Sequence, residues 1–113
     1  MKLTGTHKLS KLKKKNIGNT LLIIQIEKLI FEIENSNWID KSEMVLERKD
    51  VDCVYEDFYF FDLHIHRSLI LIEFGEFEEA AVVWCGSHDE YELVFKNNKD
   101  VNRKWLKVNE WID

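Results

Sequence analysis

Arg67, His88 and Tyr91 are the residues whose types and spacing are best suited to chemistry. They bracket the stretch from His64 to Tyr91, in which HIHRSLILIEF and AAVVWCGSHDEY flank a short acidic segment, GEFEE. Two apolar runs of strand length on either side of a Gly-opened polar loop predict a β-hairpin, and Leu69 to Ile72 is apolar enough for a central strand. An antiparallel hairpin brings Arg67, at the start of its first strand, beside His88 and Tyr91, just past the end of its second. A permanent cation, an imidazole and a phenol at one sheet end are suited to handling phosphate. Metal-independent cleavage of a ribose phosphodiester needs a base for the 2′-hydroxyl, a cation for the charged phosphorane and an acid for the leaving 5′-oxygen. His88 is able to serve as base or acid near neutral pH, Arg67 to clamp phosphate, and Tyr91 to donate a proton or stack on a base. The same residues also make sense as a capping histidine, a surface arginine and a packed tyrosine.

Elements must exist to hold them there. Leu22, Ile26, Leu29, Ile30 and Ile33 recur at helical spacing and predict a helix from Thr20 to Glu34 laid against a sheet. Before it, Met1 to Thr4 fits an edge strand, and Thr6 is the expected N-cap of a basic helix in which Leu9 and Leu12 share a face. Asn16, Gly18 and Asn19 separate the two helices. From Asn35 to Asp57 the chain is polar and reads mostly as loop, anchored by Trp38, with Asp40 or Ser42 able to cap one helical turn. Asp57 to Ile65 alternates, which predicts a half-buried strand with Tyr59, Phe61, Leu63 and Ile65 inward and Asp62, His64 and His66 outward. In the next strand Ile70, Ile72 and Phe74 share the core face, which leaves Arg67 opposite and open to a ligand. After Tyr91 the chain reads as helical with a break at Asn97 and Asn98, and Phe95, Val101, Trp105, Leu106 and Trp111 supply apolar contacts.

The 113 residues, 45% hydrophobic and without proline, fit one domain spanning 1–113. No run is long and apolar enough for a membrane span or a leader, so a cytoplasmic setting without membrane contact is expected. Cys53 and Cys85 lack metal or redox spacing and read as small hydrophobes. His64, His66 and Asp62 share a strand face, but such polar residues are ordinary there, so no metal and no cofactor are expected. The net charge of −5 is unevenly spread: residues 1–16 carry six lysines and no acid, against ten basic and twenty-one acidic residues in the rest. A basic arm on an acidic body binds an anion locally but opposes avid, non-specific duplex binding.

The hairpin and its ending are similar to the HigB family of toxins from type II toxin–antitoxin modules, within the RelE/ParE superfamily. Phe61-Asp62-Leu63 matches the family's F-N-I strand, Arg67 the arginine of its Y-R-L-V strand, and Gly86-Ser87-His88-Asp89-Glu90-Tyr91 its G-T-H-x-x-Y strand end. The resemblance extends over residues 1–95, with a basic first helix, an apolar second one and an N-x-x-W segment at Asn35 to Trp38. It implies an α+β fold with two N-terminal helices packed on a twisted antiparallel sheet of three to four strands, followed by a C-terminal helix. It further implies an endoribonuclease that cleaves mRNA, on the ribosome, and is neutralised by a cognate HigA-like antitoxin. In that reading Arg67, His88 and Tyr91 are catalytic, and Lys8, Lys11 and Lys13 hold the RNA backbone. The alternative is a ParE-like or catalytically silent member that acts by binding a protein. Lys96 to Asp113 lies beyond the family pattern.

Overall fold

Leu22, Ile26, Leu29 and Ile33 are fully buried, as their spacing requires, along a helix that runs from Thr20 to Glu34. The computed structural model describes residues 1–76 and 78–113. In chain order the elements are β1 (Lys2–Thr4), α1 (Thr6–Lys15), α2 (Thr20–Glu34), α3 (Lys41–Glu47), β2 (Asp52–Tyr55), β3 (Phe58–Leu63), β4 (His66–Glu73), β5 (Glu79–Ser87), α4 (His88–Phe95) and α5 (Lys99–Val108). The acidic segment expected from Gly75 to Glu79 includes Phe77, which lies outside the described residues.

The fold is α+β, and the sheet is five-stranded and mixed, in the order β1-β5-β4-β3-β2. β2 to β5 form an antiparallel meander, while β1 pairs with β5 in parallel. The expected sheet of three to four antiparallel strands is therefore corrected in strand number and in the direction of its edge. Asn35 to Asp57 is likewise more ordered than its polarity implied. Asp40 caps α3 by accepting from the Glu43 amide at 3.0 Å, and Trp38, fully buried, donates through Nε1 to Glu47 at 2.9 Å. Of α3 only Met44 is buried, and β2 is four residues long, so neither carries a periodic stripe.

Helices cover both sheet faces. On one face α1 and α2 bury Leu9, Leu12, Ile26 and Ile33 against Tyr59, Phe61, Leu63, Ile70, Ile72 and Val82. On the other, α4 and α5 bury Tyr91, Phe95 and Leu106 against Phe58, Phe60, Leu69 and Val83, with Trp84, Trp105 and Trp111 alongside. β3 is consequently buried on both faces instead of half-buried, because the helices after Tyr91 cover the side expected to be open. His64 takes a positive φ of 60° in the tight turn to β4, so β3 stops at Leu63 and Ile65 is exposed. Gly5, with φ of 75°, and not Thr6, stands at the α1 N-cap. A Cβ there would lie 2.7 Å from the Val82 carbonyl oxygen, so glycine lets α1 start hard against β5.

Candidate functional site

Strand register places Arg67 opposite Asp62 on one side and Gly86 on the other, at the end of the β4–β5 hairpin. Ser87 then ends β5 and caps α4. Its hydroxyl accepts from the Glu90 amide at 3.1 Å, and the Glu90 carboxylate accepts from the Ser87 amide at 2.9 Å. These bonds hold the Glu90 carboxyl below its ordinary value, the backbone bond to Ser87 contributing most. The box fixes His88 in the first helical turn and Tyr91 one turn on. Gly86 is needed here, since a Cβ would approach the Trp84 ring to 2.8 Å and Glu90 Oε1 to 3.2 Å.

The hairpin thus brings Arg67, His88 and Tyr91 together. The Arg67 guanidinium lies 4.7 Å from the Tyr91 ring centroid and 5.2 Å from that of Phe60. Its Nε donates to Asp62 Oδ1 at 2.9 Å. The face that carries Arg67 is a second core, not an open surface, and the side chain reaches solvent only at the sheet end, 17% exposed. Tyr91 is buried beneath it and donates its hydroxyl to Asn97 Oδ1 at 3.1 Å. Burial raises the Tyr91 pKa, with Arg67 acting in the opposite direction. His88 is more open: its ring is tilted 5.7 Å from that of Tyr91, and Nε2 lies 3.3 Å from Glu92 Oε1. A groove of about 530 Å³ runs past Asp62, His64, Arg67, His88 and Tyr91. It offers an anion one guanidinium already paired with a carboxylate and one exposed imidazole for proton transfer.

The lysines divide. Lys8 and Lys11 face a separate cavity between α1 and β5, whereas Lys13 pairs with Glu27 at 3.8 Å and lies outside it. Lys15, which sequence reading passed over, joins Lys8 and Lys11. The helical repeat carried that signal, because residues 8, 11 and 15 are spaced by i+3 and i+7 and residue 13 is not. Arg48 was also missed. Buried, it contacts Asp50 at 2.8 Å and Glu32 at 3.6 Å and donates to the Asp62 carbonyl at 3.2 Å, which ties α2 and the α3–β2 loop to β3. Burial by itself would raise the Asp50 pKa, but the bonds from Arg48 and the Asp62 amide leave it lowered.

His64, His66 and Asp62 do not share one face. His66 is buried, and Asp62 is engaged by Arg67. Among the described residues no three or more His, Cys, Asp or Glu side chains form a group able to hold a metal ion. Cys85 is half-buried, its thiol donates to the Lys8 carbonyl at 3.3 Å, and burial pushes its pKa up to about 11. No helix among the described residues is long and apolar enough to cross a membrane. No family model matches the chain, and no curated protein matches it either.

Proposed function

We propose that this chain is an RNA-cleaving toxin of the HigB kind, acting on mRNA without a metal and held in check by a HigA-like antitoxin. The observation that carries the reading is that Arg67 and His88 each pack near the Tyr91 ring and line one groove at the open end of the central hairpin. Without α3, β2 and α5, the element order is strand, two helices, three antiparallel strands and a helix, which supports the arrangement expected from the resemblance. In the reaction the substrate's 2′-oxygen attacks the adjacent phosphorus and the bond to the 5′-oxygen breaks, leaving a 2′,3′-cyclic phosphate and a 5′-hydroxyl. His88 moves the proton, Arg67 holds the phosphoryl oxygens, and Tyr91 supports the guanidinium from below. Lysines of α1 hold the neighbouring backbone, and a strand presented on the ribosome is a fitting substrate for a body too acidic to bind duplexes avidly.

A second reading, a ParE-like or catalytically silent toxin-fold protein, is favoured by a different observation. Ile17, Leu21, Ile24 and Phe31 are exposed along the outer side of α2 and the turn before it, a surface suited to a protein partner. Induced expression separates the two. Rapid arrest of protein synthesis with cut transcripts supports the nuclease. An SOS response with gyrase-dependent damage and intact transcripts supports the protein-binding toxin and overturns the nuclease reading.

A further inference from the structure

β1 covers β5 only from Glu79 to Ala81, and beyond that point β5 has no strand on its outer side among the described residues. α1 takes that place, held by the bond from the Cys85 thiol to the Lys8 carbonyl. Between α1, the uncovered edge of β5 and the first turn of α4 lies a cavity of about 480 Å³. Its polar wall is Lys8, Lys11 and Lys15; Leu12 and Trp84 give it an apolar and aromatic wall. The one carboxylate lining it, that of Glu90, already accepts the Ser87 amide, so three lysines share the cavity with a single committed carboxylate. His66 also lines the cavity. Only 5% exposed, it has a buried Nδ1 with no hydrogen-bond partner among the described residues. A buried polar atom left unpaired is costly and marks a place where a ligand or water would be bound.

Three lysines lining one cavity fit a phosphate, and the volume exceeds what a bare phosphate fills. An aromatic wall beside them fits a flat ring. We propose that this cavity binds a mononucleotide unit, with its phosphate on Lys8, Lys11 and Lys15, its base against Trp84, and His66 as a further hydrogen-bonding group. The cavity opens at the β5 edge and is lined by none of Arg67, His88 and Tyr91, while its Trp84 wall packs against the second core and His66 also lines the groove beside Arg67. The inference rests on the RNA-cleaving reading only for the source of the nucleotide, a unit of the bound strand upstream or downstream of the cut.

Calorimetric titration of the full chain with AMP, adenosine and inorganic phosphate at low salt tests it. AMP should saturate one site per chain, with adenosine and phosphate each weaker by about tenfold or more, since each supplies only half of the contacts. The double variant Lys8→Gln/Lys11→Gln should weaken AMP by about tenfold or more. Lys104→Gln/Lys107→Gln, which removes the same charge from α5, should change it by less than about twofold. Equal losses in the two double variants, or no saturable AMP binding, overturn the site. Competition with a single-stranded RNA assigns the source: displaced AMP points to a strand, retained AMP to a free nucleotide, and both outcomes uphold the cavity. AMP binding without RNA cleavage would leave this site standing and reject the nuclease, and cleavage without AMP binding would do the reverse.

Discussion

Arg67 lies 4.7 Å above the Tyr91 ring while its Nε donates to Asp62 at 2.9 Å, so one guanidinium both stacks and is partly neutralised. The Asp62 side chain is half exposed, and such a pair contributes about 0–1 kcal/mol to stability. Asp62→Asn should therefore leave the urea midpoint nearly unchanged while tightening RNA binding, because the cation is released. Arg67→Ala should lower cleavage by about 100-fold, the scale for removing a group that stabilises transition-state charge. Arg67→Lys should not restore it, since an ammonium lacks the planar fork that stacks and clamps together. A retained cleavage rate in Arg67→Ala would exclude it as the clamp.

The Tyr91 hydroxyl is spent on Asn97. Tyr91→Phe should cost about 1 kcal/mol of stability, the net value of one hydrogen bond, with cleavage within about threefold of wild type. Tyr91→Ala should cost about 3–5 kcal/mol and most of the activity, because both the core and the platform under Arg67 are lost. Parallel melts and cleavage assays separate these outcomes. A loss of activity near 100-fold in Tyr91→Phe would instead make the hydroxyl a proton donor.

α5 is core on the site face. Leu106 is fully buried, and Trp111 meets Phe58 edge-on at 6.5 Å. Leu106→Ala should destabilise the protein by about 2–5 kcal/mol in urea unfolding, as for other fully buried leucines. A cost below about 0.5 kcal/mol would mean that the helix is dispensable cover.

Acid should weaken the fold in two steps. Burial lowers the His66 pKa below its ordinary 6.5, with Glu90 opposing and His64 assisting, so folding favours neutral His66. The associated stability is present above 6.5 and is lost as pH falls through that value toward the folded pKa. Asp50 and Glu90, both lowered, add stability above the ordinary carboxyl values of 3.8 and 4.5 that is lost as pH falls further. On the alkaline side, the Cys85 thiol, raised from 9.0 to about 11, stabilises the fold fully below 9.0 and ceases to do so as pH rises through about 11. His66→Gln should remove the first acid step and leave the second. A curve unchanged by His66→Gln would contradict the assignment.

The parts of the fold that were legible were those with long periodic signals. α2 and the β4–β5 hairpin each bury a run that matches one period, and the break at Asn97 and Asn98 separates two helices as expected. α3 and β2 were not legible, because a seven-residue helix with one buried side chain and a four-residue strand hold too little pattern. β3 showed the limit of period-two reasoning. Asp62 and the histidines around the turn made one face look solvated, whereas Phe58 and Phe60 on that same face are covered by α4 and α5. At the site, register alone was enough to bring Arg67, His88 and Tyr91 together. What the sequence reading did not name was their partners: Asp62 on Arg67, Asn97 on Tyr91 and Glu92 on His88. The first follows from the β3–β4 register set by the turn at His64, with φ of 60°, the second from the α4–α5 junction, where Lys96 and Asn97 both take positive φ, and the third is an i, i+4 pair along α4.

His88 carries the proposed chemistry, and a single-turnover comparison tests it most directly. Wild type and His88→Ala are mixed with end-labelled single-stranded mRNA, free in the presence of EDTA and on translating ribosomes in magnesium buffer. Cut fragments should bear 2′,3′-cyclic phosphate and 5′-hydroxyl ends, and His88→Ala should cut about 100-fold or more slowly while binding RNA as tightly as wild type. Equal cleavage by the two proteins, or no cleavage by wild type in either setting, would contradict the account.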